Sequence, residues 1–125
     1  MKPRLNRAGA SFRISSAVEF ASVFARKARR DLGWIIVHAA PNDLGRTRLG
    51  LSIGTRVGKA VRRVRVKRMI REAFRLIRSE IPLGMDVVVS ARSHSDRPLA
   101  DYKHAIVEES KRLAIQLKLK DPRSE

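Results

Sequence analysis

The sequence contains no cysteine, which excludes disulfides and thiolate metal sites and points to a reducing compartment. No apolar run approaches the roughly 18–20 residues that span a bilayer. The 32% of residues that are charged argue against a membrane protein. The opening stretch, MKPRLNRAGASFR, is basic but lacks the apolar centre of a signal peptide, so a soluble cytoplasmic protein is expected. Internal repeats, linkers and low-complexity tracts are missing. So are a P-loop, a dinucleotide fingerprint and a serine nucleophile elbow. His38, His94 and His104 fall in a predicted strand, loop and helix without ligand spacing. Asp86 opens a strand with no second acid beside it. Asp101, Glu108 and Glu109 read as solvated positions of the last helix. A self-sufficient nuclease needs a general base, a metal cluster or both; no catalytic residue and no protein-bound metal or cofactor is expected.

Acids are also scarce where cations crowd. Residues 1–30 hold eight Lys or Arg and one acid, residues 54–78 hold ten and one, and the rest hold ten of each. The whole net charge of +16 therefore sits in two segments. A solubility device would spread its charge, whereas concentrated charge is the footprint of a phosphate-bearing partner. The density peaks in GKAVRRVRVKRMIREAFR (58–75), where Glu72 is the only acid.

At 125 residues and 43% hydrophobic, the chain suits one domain with a modest core. We divide it into a basic arm (1–14), a single domain (15–120) and a tail (121–125). Ser16 and Glu19 form a capping box, so a helix is expected over 17–28, with Phe20 and Phe24 on one face. GWIIVHAA (33–40) and TRLGLSI (47–53) read as strands. The turn residues PNDLG between them predict a hairpin. A long helix follows over 59–81, then a buried strand over 85–92, a loop over 93–98 and a helix over 99–119. The order α-β-β-α-β-α makes an α+β domain.

At about 100° per residue, Val66, Ile70, Ala73, Phe74, Ile77 and Ile81 share the core face of the long helix. Lys67, Arg68, Arg71, Arg75 and Arg78 fill the neighbouring arc, with Val64 in its midst and no packing reason for a valine there. Arg62, Arg63 and Arg65 crowd the first turns. From Lys59 to Arg78, arginines outnumber lysines seven to two. The planar guanidinium fork suits phosphate oxygens.

Residues 58–75 resemble the signature of the bacterial ribonuclease P protein subunit, roughly G-N-A-V-x-R-N-R-x-K-R-x-x-R-E-x-F-R. Arg13-Ile14, Glu19-Phe20 and Val23-Phe24 resemble that family's first helix. Arg48-Leu-Gly-Leu-Ser-Ile53 and Asp86-Val-Val-Val-Ser-Ala-Arg92 resemble two of its strands. Residues 13–118 are covered. Two family asparagines are replaced, by Lys59 and Val64, and Val64 offers neither donor nor acceptor. Gly54-Thr-Arg56 departs from the usual Ser-Lys-Lys.

The resemblance implies a two-layer sandwich with a small mixed sheet. It also implies a left-handed β-α-β crossover, against the right-handed form found in about 98% of cases. It implies a protein that binds a catalytic RNA, with the complex removing the 5′ leader from precursor tRNA. The chemistry would belong to the RNA and its Mg²⁺, and neither a membrane nor a protein partner is implied. Contacts to the RNA are expected from Arg56, Lys59, Arg62, Arg63, Arg65, Lys67, Arg68, Arg71 and Arg75. A leader-binding cleft is expected at Arg13, Phe20, Phe24, Lys27, Val37 and Arg92. A ribosomal-type structural RNA binder is the alternative, and a nonspecific DNA or membrane-surface binder is a third reading.

Overall fold

A computed structural model describes residues 12–119; most of the expected arm and the whole expected tail lie outside them. Ser16 starts α1 (Ala17–Arg26), its Oγ accepting the Glu19 N–H at 3.1 Å and satisfying one orphan donor of the first turn. The helix stops short of the expected Ala28 because Lys27 turns left-handed, with φ of 60°.

Beyond Ala28, residues 29–31 form a strand that the sequence did not predict. In β1 (Arg29–Asp31), the run Arg-Arg-Asp has no apolar alternation. It is a strand because it pairs antiparallel with β2 (Ile35–Pro41), Arg29 opposite His38 and Asp31 opposite Ile36. Short, charged and exposed, it suits a sheet edge. The turn between them is fixed by Asp31, whose Oδ1 accepts the Gly33 N–H at 2.9 Å.

The expected hairpin between β2 and β3 (Arg48–Ser52) does not form. The sheet order is β1-β2-β4-β3, with β4 (Met85–Ala91) lying between the two. It runs antiparallel to β2, Ile35 opposite Ala91 and Pro41 opposite Met85. It runs parallel to β3, Arg48 opposite Asp86 and Ser52 opposite Ser90. The reason is burial. β4 is buried along nearly its whole length, and a strand covered on both faces belongs at the centre of a sheet. β3 carries Arg48 and Ser52 at less buried positions and tolerates the edge. The link across residues 42–47 spans a gap of two strand spacings, about 10 Å. Asn42 braces it, its Oδ1 accepting the Leu44 N–H at 2.9 Å and its Nδ2 donating to Arg46 O at 3.0 Å.

The parallel pair β3 and β4 is joined through α2 (Ala60–Ile77), which tightens into a 3-10 turn at Arg78–Glu80 in place of the expected helix to Ile81. α3 (Leu99–Gln116) closes the domain. The α+β class and the small mixed sheet are as expected, but the helices divide between both sheet faces. Beneath α2 and α3 lie Ile35, Val37, Ala39, Val87 and Val89. On the other face α1 packs Val23 against Ala40 and Val88. It comes close enough that a Cβ on Gly50 would lie 2.9 Å from the Phe20 ring. Arg48 locks this face, its guanidinium gripping Asp86 twice, at 2.9 and 2.8 Å, and Glu19 of α1 at 3.0 Å.

Candidate nucleic-acid interface

The underside of α2 is anchored: Val66, Ile70, Ala73, Phe74 and Ile77 are each 4% exposed or less. Each large apolar side chain buried this way contributes about 1.5–3 kcal/mol, which fixes the rotation of the helix. Arg65, Arg68, Arg71 and Arg75 consequently face solvent, with Arg62, Arg63 and Lys67 half-buried at the flanks.

Among the described residues, only two carboxylates reach these cations. Asp96, in the loop before α3, contacts Arg62 and approaches Arg65 to 3.6 Å. Arg62 also donates to His94 O, so it ties α2 to that loop. Glu72 holds Arg75 through contacts of 3.1 and 2.6 Å. Both carboxyls are pulled below their ordinary range, each chiefly by the hydrogen bond from its arginine, so they stay ionised at neutral pH. Lys59, Lys67, Arg68 and Arg71 have no carboxylate at ion-pair distance among the described residues, and Arg63 Nε is buried without a hydrogen-bond partner. Arg56 sits in the exposed turn before α2.

A second cationic surface lies on the α1 side of the sheet. A cleft of ≈ 470 Å³ is lined by Phe24 of α1, Arg29 of β1, Ile36 and His38 of β2, Ser52 of β3, Ser90 of β4, and Arg56 and Arg92 from the flanking loops. Phe24 is 39% exposed, and its ring stands edge-on to His38, their centroids 4.8 Å apart. Burial, then the nearby Arg29, push the His38 pKa below its ordinary 6.5, so the imidazole is neutral at pH 7. Arg92 grips Asp31 at 2.7 and 2.9 Å. That contact holds the Asp31 carboxyl well below the usual carboxylate range.

Of the six residues expected in a leader cleft, Phe24 and Arg92 line this one. Phe20 packs under α1 against Gly50, its ring 6.5 Å from that of Phe24. Lys27 is the exposed cap of α1, its N–H bonded to Phe24 O at 3.1 Å. Arg13 lies elsewhere, bridged to Leu49 at the edge of β3 and facing α2. Val37 is a correction: fully buried, it points into the core beneath α2 and α3. Side chains alternate along a strand, so its neighbours Ile36 and His38 are the ones that face the cleft. The family resemblance alone put Val37 in the cleft, and a strand apolar on both faces carries no alternation that would have checked it. Glu109 is a second correction. It is 4% exposed, not solvated, and pairs with Arg30 at 2.7 Å and Arg112 at 2.8 Å. Its partner Arg30 belongs to the unpredicted β1.

No helix among the described residues is long and apolar enough to cross a membrane. No group of three or more His, Asp or Glu side chains there converges as a metal-ligand set.

Residues 9–115 match the family model described as Ribonuclease P. The "Ribonuclease P protein component" of Desulfovibrio desulfuricans is 37% identical over 98 residues, covering 77% of this chain and 75% of the relative. The protein of the same description from Methylococcus capsulatus is 43% identical over 84 residues, 66% of this chain and 65% of the relative. Among solved structures, a mutant RNase P protein of Staphylococcus aureus with defective mRNA degradation activity superposes with a TM-score of 0.73 at 26% identity. It covers 86% of this chain and 92% of that one. The RNase P protein of Thermotoga maritima gives 0.70 at 27% identity, over 80% and 96%.

Proposed function

We infer, because the chain belongs to the ribonuclease P protein family, that it is the RNA-binding protein subunit of ribonuclease P, an endonuclease of tRNA processing. Its partner is the ribonuclease P RNA. The chemistry, removal of the 5′ leader from precursor tRNA, is carried by that RNA and its Mg²⁺ in the cytoplasm. The protein strengthens binding and holds the leader.

The observation that carries this reading is the rigid row of uncompensated cations on α2. A-form RNA presents phosphates and shape rather than readable base edges in its deep groove. Guanidiniums fixed by a buried underside meet phosphates without first losing side-chain freedom to their own carboxylates. The α1 cleft supports the second role. An exposed aromatic ring set beside Arg29 and Arg56 is the combination that binds single strands, by stacking on the ring and by charge along the backbone.

Reconstitution tests the proposal. Added to a bacterial ribonuclease P RNA at low Mg²⁺, the protein rescues cleavage of precursor tRNA. A protein that binds the RNA yet leaves cleavage at the RNA-alone rate, or that purifies with ribosomes rather than one discrete RNA, sinks it.

A further inference from the structure

Val64 has no packing role on α2. It is 52% exposed, offers no hydrogen bond, and stands among arginines. Its surroundings supply a reason. A groove of ≈ 420 Å³ runs between α2, the edge of β3 and residues 12–13. Phe12, Leu49, Val64 and Phe74 make its apolar floor, and Arg13, Arg68, Arg71, Arg75 and Arg78 make its rim.

The floor is built rather than incidental. Leu49 and Phe74 are 6% and 4% exposed. The Phe12 ring is pinned by the Arg78 guanidinium, 4.2 Å from its centroid. Among the described residues Glu72 is the single acid lining the groove, and it is engaged with Arg75. Arg13, Arg68 and Arg71 therefore face it without a carboxylate partner among the described residues.

Charge and shape together select the occupant. A phosphate alone would use the rim and leave the floor uncovered. A duplex stacks its base faces inside and can bring only its backbone to the rim. An apolar floor under guanidiniums fits a flat apolar ring joined to an anion. The chain's own first residues are poor competitors, since residues 1–11 carry Lys2, Arg4 and Arg7 and no acid.

We propose that this groove is a subsite for one unpaired nucleotide of RNA, its base laid against Phe12, Val64 and Phe74 and its phosphate held by Arg68 and Arg71. The proposal rests on the RNA-binding function above and deepens it. It places a single-strand contact on the α2 side, apart from the α1 cleft. It also explains the valine, because asparagine at position 64 would put a donor and an acceptor into the floor and lower its affinity for a base.

Nuclear magnetic resonance titration of the full chain with adenosine 5′-monophosphate and, separately, ribose 5-phosphate tests this. The expected result is a preference of about tenfold for the nucleotide, in line with the worth of a base on an apolar platform. The Val64 methyls and Phe12 ring signals should shift with it. Val64→Asn, a change at a half-exposed helix position, should reduce the preference to about twofold while leaving ribose 5-phosphate affinity unchanged. Equal affinities for the two ligands would reveal a phosphate site only and overturn the proposal. Two other results would also overturn it: an undiminished preference in Val64→Asn, and shifts confined to Phe24 and His38. Reconstituted cleavage is scored separately. Rescue by the wild-type protein without a nucleotide preference sinks the subsite alone, whereas a preference without rescue sinks the function and leaves the subsite standing.

Discussion

Arginines on the two sides of the molecule are paired differently. Around the sheet and α1, each of Arg48, Arg92 and Arg30 is held by a carboxylate: Asp86 with Glu19, Asp31, and Glu109, which Arg30 shares with Arg112. On α2, Arg68 and Arg71 have none among the described residues. The first group fastens elements of the chain to one another, and its charges are spent inside the molecule. The second is left for a partner. The number of cations in a segment therefore says less about binding than the placement of the acids. More than half of the net charge, +9 of +16, sits in residues 54–78, where Glu72 is the only acid.

The sharpest way to break this comparison is to remove a fastening arginine. Arg48 is 15% exposed at its side chain and joins two acids. Arg48→Ala takes from the buried Asp86 its charge partner, leaving it the Asn42 Nδ2 hydrogen bond at 2.8 Å, and is expected to destabilise the fold by about 3 kcal/mol. Chemical denaturation measures it; an unchanged midpoint would mean that the network does not hold α1 to the sheet. The opposite case is the double variant Arg68→Ala/Arg71→Ala. It should keep its thermal midpoint and lose about 1.5–3 kcal/mol of RNA binding per arginine. The logarithmic salt slope should also flatten by roughly 0.7–0.9 for each lost contact. Filter binding across a salt series reads both, and loss of folding without loss of slope would reassign these residues to structure.

Phe24→Ala is the next smaller effect. It is a cleaner probe than Phe20→Ala, which would open a hole beneath Gly50. It should cost about 1–3 kcal/mol on a precursor with leader and nothing on mature tRNA; equal losses would remove the single-strand role of the α1 cleft. The smallest effect is on pH. Folded His38 has a lowered pKa, while in the unfolded chain it titrates near 6.5. The unfolded state thus takes up the proton first, so stability is level above about pH 6.5 and falls as the pH drops below it. His38→Gln should flatten that decline in urea midpoints between pH 7.5 and 5; identical curves would show that His38 does not titrate between the two states.

Much of this was legible in the sequence. The face of α2 followed from its spacing, since 3.6-residue periodicity places Val66 to Ile77 on one stripe whatever the neighbours are. The capping box at Ser16 is a local signal and was equally readable. What escaped depends on non-local pairing. β1 is a strand only by virtue of β2, and its residues carry no pattern of their own. The partner of β3 lies across α2 in sequence, and turn residues such as PNDLG fit a bracing loop as well as a hairpin. Val37 was assigned to the cleft by the family resemblance rather than by its own pattern, and β2, buried on both sides, offers no alternation to check it against. Arg62, expected among the RNA contacts, is tied to Asp96, a contact that needs the loop before α3 to be placed in space.

The position of β4 has a kinetic consequence. It is the one strand touching both β2 and β3, and it is made after both of them and after α2. A nascent chain that ends before residue 85 has two strands without a common neighbour and a basic helix whose apolar stripe has no sheet to cover. Closing these distant pairings late makes folding all-or-none and slower than the helical content would suggest. Pulse-labelled amides of β2 and β3 should accordingly gain protection together with those of β4, and not before. Until its last strand has been translated, the chain is a cation-rich thread with no scaffold to aim its charges.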